Sequence, residues 1–432
     1  MNLLIRNGRI IDPLREIDHV GDLLIINGKI AEVEAGFRPA STVIDATGLI
    51  VSPGFIDLHC HLRQPGFEEK ETIASGTRAA ARGGFTTVCC MPNTNPPIDR
   101  PEIARQVADI AIREGLVRVL IIGCVTEERA GQKLAGMADL REAGVIAFSD
   151  DGNPVADSEI MRQALEQGKA IGAPIIDHCE DPALVKNGVM NEGVVSARLG
   201  YKGIPTAAEE RMVARDIELA KETGGRVHIA HVSTAGSVDL IRQAKKEGVN
   251  VTAEVTPHHL TLTEEAVLDC GAQAKVNPSL RTQSDVEALI SGLRDGTIDA
   301  IATDHAPHTQ KDKAGSFARS AFGISGFETA LGSLMTLAHN GKLDLRTLIS
   351  KLTVDPARIL NISDLPGSLQ IGSPADITIF DPNAEWTVDP EEFVSKGKNT
   401  PLAGKKLKGK VLMTIVKGEI VYRDEAWPLW MK

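Results

Sequence analysis

Residues 57–66 read DLHCHLRQPG, with two imidazoles and a guanidinium at alternate positions. Alternation of period two is the pattern of a strand, so His59, His61 and Arg63 are expected on one face and Leu58, Cys60 and Leu62 on the other. A pair of imidazoles on one face suits a divalent metal ion, and a guanidinium beside them suits an anion. The same residue types return at a distance. His178, His231, His305, His308, Asp150, Asp151 and Asp304 all fall at or just after the end of an apolar run. Imidazole and carboxylate are the ligand types of zinc and similar divalent ions. One such histidine would ordinarily be a hydrogen-bonded neighbour; His59 and His61 on one strand, with His178, His231 and Asp304 on three further strand ends, together carry the metal reading. His228, three residues before His231, is expected to face away, as packing or as support for a ligand. His258 and His259 are left unassigned, and His19 and His339 look peripheral.

Groups spread over some 250 positions need a scaffold that brings strand ends to one mouth. Eight apolar runs end in polar clusters: GFIDLHCHLRQ, FTTVCCMPNTN, RVLIIGCVTE, VIAFSDDGN, PIIDHCED, RVHIAHVST, VTAEVTPHHL and DAIATDHAPH. Helical patterns separate them, among them residues 101–115, 157–172, 206–224 and 237–248. That repetition predicts an α/β fold, a closed parallel (β/α)8 TIM barrel with its chemistry at the C-terminal ends of the strands. The first fifty residues read instead as short strands, with Asn7-Gly8 and Asn27-Gly28 as hairpin signals and a turn at Val20-Gly21. Strand texture returns in ADITIFDPN and KVLMTIVKGEIVYRD. Both chain ends are therefore expected to build one small β-sandwich domain, residues 1–52 and 366–432, around a barrel of residues 53–365.

Composition narrows the function classes. At 432 residues, with 42% hydrophobic and 24% charged side chains, the chain can bury a large core. A formal charge of −11 argues against nucleic-acid binding. No apolar window is long enough to span a membrane, and the N-terminus lacks the pattern of a secretion signal. The cysteines at 60, 89, 90, 124, 179 and 270 form no CxxC pair, which reads as a reduced, cytoplasmic chain. A small-molecule substrate remains, and an anionic one needs a local cation such as Arg63 or a metal.

The motifs themselves resemble one family. DLHCHLRQP is similar to the first signature of the dihydroorotases, with Cys60 where a small aliphatic residue is usual, and ATDHAPHTQKDK is similar to the second, including Lys313. MPNTNPP, FSDDGNPV, DHCED, HIAHVS, KVNPSLR, AFGISGFET and IGSPADITIFDP extend the resemblance over essentially the whole chain. It points to the type I bacterial branch of the amidohydrolase superfamily. The resemblance implies two zinc ions, with one as an alternative. It gives His59, His61 and Asp304 to one ion, His178 and His231 to the other, and Asp151, rather than Asp150, to both. It further implies that Arg63, Asn93 and His308 hold a substrate carboxylate, and that Asn277 and the backbone at Phe322 and Gly323 meet the ring amides. Ala321 departs from the family's usual proline and weakens the last two assignments.

The expected reaction is the zinc-dependent, reversible cyclisation of N-carbamoyl-L-aspartate to L-dihydroorotate and water in pyrimidine biosynthesis, with Asp304 as proton shuttle. Hydantoinase, dihydropyrimidinase and allantoinase are the competing activities. Their substrates give Arg63 no matching carboxylate, and strand four ends in Ser149-Asp150-Asp151-Gly152 without the carboxylated lysine of many relatives. A non-catalytic scaffold for aspartate carbamoyltransferase is the third reading, opposed by the complete ligand set. A homodimer is expected, as the commonest assembly, with association to the carbamoyltransferase left open. Residues 309–321, charged and poor in apolar anchors, are expected to form a mobile loop over the mouth.

Overall fold

The computed structural model describes residues 2–33, 40, 42–362, 367–425 and 427. Eight parallel strands, β1 (Phe55–Cys60), β2 (Phe85–Cys90), β3 (Arg118–Gly123), β4 (Val145–Ser149), β5 (Ile175–Asp177), β6 (Val227–Ile229), β7 (Val251–Val255) and β8 (Ala300–Ile301), pair in sequence order. A parallel bridge between Cys60 and His305 brings the two edges together, with His61 N–H donating to the His305 carbonyl at 2.9 Å. Loops and capped helices follow the strands. Thr72 caps Ile73–Arg82 with Ser75 in a capping box, and Asp157 caps Ser158–Ile171, which stops at Gly172 in the left-handed region, φ 70°.

Small and medium side chains fill the barrel interior: Ile56, Leu58, Cys89, Met91, Ile122, Ala147, Ile176, Ala230 and Ala300. Phe55, Phe85, Val88, Phe148, Val227 and Val255 pack outward in the same layer as residues of the helices. Leu58 therefore departs from the face expected for it. It lies inside the barrel, whereas Cys60 and Leu62 pack in the outer layer, because the β1–β2 register slips between Asp57 and Cys60. β1 also ends at Cys60, and Arg63 takes a φ of 62°, so a left-handed turn and not strand alternation aims its side chain.

The chain ends form one mixed sheet in the order Glu419–Arg423, Lys406–Val416, Ile377–Thr387, Ile50–Pro53, Asn2–Asp12, Ile17–Ile26 and Lys29–Val33, with Thr42–Asp45 also paired to Asn2–Asp12. It encloses its own core of Leu3, Ile5, Ile10, Leu23, Ile44, Ile379, Met413 and Ile415. Asn27-Gly28 makes the expected hairpin, both residues at positive φ (51° and 75°). Asn7-Gly8 does not. Asn7 reaches φ 59° within a continuous strand, where the register shifts between Ile5 and Gly8, so the signal marks a bulge. Val20 and Gly21 likewise lie inside the strand Ile17–Ile26. The expected boundary between residues 365 and 366 falls outside the described residues. Between Ile377–Thr387 and Lys406–Val416 the chain leaves the sheet and reaches the barrel mouth, where the Ser325 N–H donates to the Asn399 carbonyl at 2.8 Å.

Candidate active site

At the mouth, His59, His61 and Asp151 form one set of converging ligand atoms and Asp151, His178 and His231 a second, each set within 4.8 Å. Asp151 belongs to both. Its Oδ1 lies 3.3 Å from His59 Nε2, 3.6 Å from His231 Nε2 and 3.7 Å from His178 Nδ1, and its Oδ2 is 3.5 Å from His61 Nε2. Asp304 Oδ1 approaches His61 Nε2 at 3.0 Å and His59 Nε2 at 3.6 Å. His231 and Asp304 hold φ values of 33° and 43°, strain that is common where side chains are aimed for function.

These donors fit divalent cations. His59 Nε2 and Asp151 Oδ1 are buried without a hydrogen-bond partner, an arrangement that costs free energy unless something binds them. His59 Nδ1 donates to Glu254 at 2.8 Å, leaving the Nε2 lone pair turned towards Asp151. Glu254 is itself held by His228 Nε2 at 3.2 Å. Burial alone would push the Asp304 carboxyl up, but its contacts with His61 and His59 outweigh that and keep it well below the usual carboxylate range. Asp151, among His59, His178 and His231, is held down in the same way.

Asp150 goes elsewhere. It accepts from the Val125 and Thr126 N–H groups at 2.9 and 3.0 Å and from the Thr126 hydroxyl, which ties β4 to the loop after β3. His305 also leaves the cluster, stacking on Phe327 at 4.1 Å and facing Glu71. A further buried group, Asp177, Cys179 and Asp216, is occupied by Arg215, whose Nε lies 2.6 Å from Asp216. Cys60 donates to the Cys89 carbonyl, so neither cysteine next to a candidate ligand joins the cluster.

The cluster floors a pocket of about 210 Å³ whose walls include Arg63, Asn93, Asn277, His308, Phe322 and Gly323. Arg63 Nε donates to the Pro307 carbonyl at 3.3 Å, and its Nη2 lies 3.4 Å from His308 Nε2. No acidic side chain pairs with Arg63 among the described residues, and Glu68 instead accepts from the Gly66 N–H. Burial, then the Arg63 charge, pushes His308 down to about 3, so the ring is neutral and its Nε2–H donates to the Phe322 carbonyl. Asn93 Oδ1 accepts from His61 Nδ1 at 2.8 Å, which leaves its amide nitrogen for the pocket. Asn277 Nδ2 donates to Glu180 at 3.1 Å, while its Oδ1 is buried without a partner.

Sequence reasoning missed Glu254, Glu180, Arg129 and Asn399. A lone carboxylate in the apolar strand VTAEV was the available signal for Glu254, and the position two residues after His178 was the signal for Glu180. Arg129 supports the β4 loop through the Asp150 and Asp151 carbonyls, and nothing in its local sequence marks it. The loop 309–321 is better anchored than its composition suggested. Thr309 caps a turn of helix at Gln310–Lys313, and Phe317 and Lys313 are buried.

A parallel barrel opening on histidines and aspartates of this arrangement is suited to a metal-dependent hydrolase. Residues 48–237 match the family described as Dihydro-orotase-like. A dihydroorotase of Thermoanaerobacter sp. (strain X514) is 53% identical over 427 residues, 98% of each chain. One from Citrifermentans bemidjiense is 52% identical over 98% of this chain and 100% of its own. Among solved structures, the L-hydantoinase of Arthrobacter aurescens matches with a TM-score of 0.89 at 25% identity, over 99% of this chain and 97% of that one. A dihydropyrimidinase from Brevibacillus agri shares the fold, with a TM-score of 0.85 at 23% identity over 100% and 96% of the two chains. This chain belongs to the dihydroorotase family.

Proposed function

We propose that the chain catalyses the reversible cyclisation of N-carbamoyl-L-aspartate to L-dihydroorotate and water, a step of pyrimidine biosynthesis. The observation that carries this reading is Arg63, a cation at the pocket wall with no acidic partner among the described residues, facing the same space as the histidine–aspartate cluster. A planar guanidinium can grip a carboxylate through two parallel hydrogen bonds, and L-dihydroorotate differs from simpler cyclic amides by such a carboxylate. The Asn93 amide and Arg63 would bind its oxygens, with His308 closing the same end. Unpartnered Asn277 Oδ1 is suited to accept a ring N–H.

Two zinc ions, one on His59, His61 and Asp304, the other on His178 and His231, with Asp151 common to both, would supply Lewis acidity and a water acidified to near neutral pH. Asp304, ionised and beside the cluster, takes a proton as water adds to the ring carbonyl and delivers it to the departing amide nitrogen. In the synthetic direction the ureido nitrogen gives its proton to Asp304 as it closes on the side-chain carboxylate; Asp304 returns that proton to the departing oxygen, and a second proton taken from solvent completes the water. We read the chain as cytoplasmic, which its six free cysteines support, and as a homodimer open to association with aspartate carbamoyltransferase.

The Asp304→Asn variant tests the proton assignment. It is expected to lose turnover about a thousandfold or more while keeping much of its bound metal by elemental analysis. Retained turnover would refute the role.

A further inference from the structure

Asn399 lies outside the pocket, in the excursion from the terminal sheet, and is 3% exposed. Its amide is fully used. Oδ1 accepts from the His308 N–H at 2.9 Å and from the Ser325 hydroxyl at 2.9 Å, while Nδ2 donates to the Ala306 and Gly323 carbonyls, both at 3.0 Å. A buried primary amide can make about four such bonds, and here they go to two separate segments of the mouth, before and after the loop 309–321. The contact is close. A Cβ on Gly397 would fall 2.5 Å from Pro307 Cβ, and one on Gly323, at φ 138°, would fall 2.8 Å from Ala306 Cβ.

Both segments carry groups that face the substrate's carboxylate end. Pro307 offers the carbonyl that aims Arg63, His308 stands against the guanidinium, and Gly323 follows the Phe322 carbonyl to which His308 donates. We infer that Asn399 is a positioning residue for substrate binding: it fixes the 306–308 and 323–325 segments in one register and so sets the geometry of the Arg63–His308 cradle. The inference rests on the proposed reaction. It means that the terminal domain supplies one wall of the site's support, although no atom of Asn399 lines the pocket.

The test compares wild type, Asn399→Ala and Ser325→Ala in L-dihydroorotate opening, with rates normalised to bound metal and folded fraction. Loss of the four hydrogen bonds behind the cradle is expected to raise KM about tenfold or more in Asn399→Ala, with kcat within about threefold. Ser325→Ala, which removes a single hydroxyl donor, is expected to raise KM about twofold to fivefold. A residue that merely stabilised the fold would lower the melting temperature and leave KM where it was. If Asn399→Ala does not fold, Ser325→Ala decides alone. Unchanged KM in every folded, metal-loaded variant overturns the bracket while the reaction stands; wild type that opens no L-dihydroorotate overturns both.

Discussion

Two neighbouring aspartates at the end of β4 have different fates because of their hydrogen bonds. Asp150 is consumed by three donors from Val125 and Thr126, and Asp151 is left with an unpartnered buried oxygen among four histidines. The local string SDDG cannot separate them, since the deciding donors lie about 25 positions earlier. The HxH of β1 and the strand-end histidines were legible for the opposite reason, each standing where an apolar run stops. Arg63 was legible as a type but not as a geometry, because a left-handed turn aims it. Arg63→Met should raise KM for L-dihydroorotate by about a hundredfold, the cost of truncating one partner of a desolvated charge pair, with bound metal unchanged. Steady-state kinetics with elemental analysis would check this, and an unaltered KM would remove the guanidinium from substrate binding.

Buried lysines organise the element that follows the second histidine motif. Lys275 Nζ donates to the Phe317, Ala318 and Ser320 carbonyls at 2.8, 3.0 and 2.8 Å and lies 4.3 Å from the Phe322 ring centroid. Lys313 Nζ reaches the Ala321 carbonyl at 2.9 Å and the Lys275 carbonyl at 3.2 Å. The charged, glycine-containing stretch reads as loose because these partners sit some 40 residues away, on the segment that carries Asn277. Lys275→Met would strand the buried Phe317 and Ser320 carbonyls and should cost about 3 kcal/mol in chemical denaturation, with the greater loss in turnover from displaced Phe322 and Gly323. Unchanged stability would mean that water replaces the ammonium without loss.

At the scale of the molecule, the barrel and the terminal sheet meet through buried polar groups as well as apolar ones. Glu328, on the helix Phe327–His339, accepts from the Val394 and Ser395 N–H groups at 2.8 and 3.2 Å, with Arg82 at 3.4 Å. Burial pushes its carboxyl from an ordinary 4.5 up to about 7, against those donors. A raised folded-state value means that the native chain holds this proton more tightly than the unfolded chain. The resulting stabilisation is complete below about 4.5 and is lost as pH rises through 7. Glu328→Gln should therefore gain on wild type in melting temperature between pH 5 and 8, whatever its offset at pH 5. Parallel pH slopes would contradict the assignment. The eightfold strand–helix rhythm and the strand texture of both ends made the architecture legible from sequence. The joint was not, because Glu328, Ser395 and Asn399 acquire their roles only once chain ends more than 300 residues apart share a sheet.

The most direct measurement is the opening rate of L-dihydroorotate by purified, zinc-reconstituted protein, with hydantoin, dihydrouracil and allantoin as alternative substrates and a chelated sample as control. Rapid opening of L-dihydroorotate alone, abolished by chelation, is the predicted result. Turnover of an uncharged ring at an equal or greater rate, or turnover indifferent to chelation, would contradict the account built on Arg63 and the histidine–aspartate cluster.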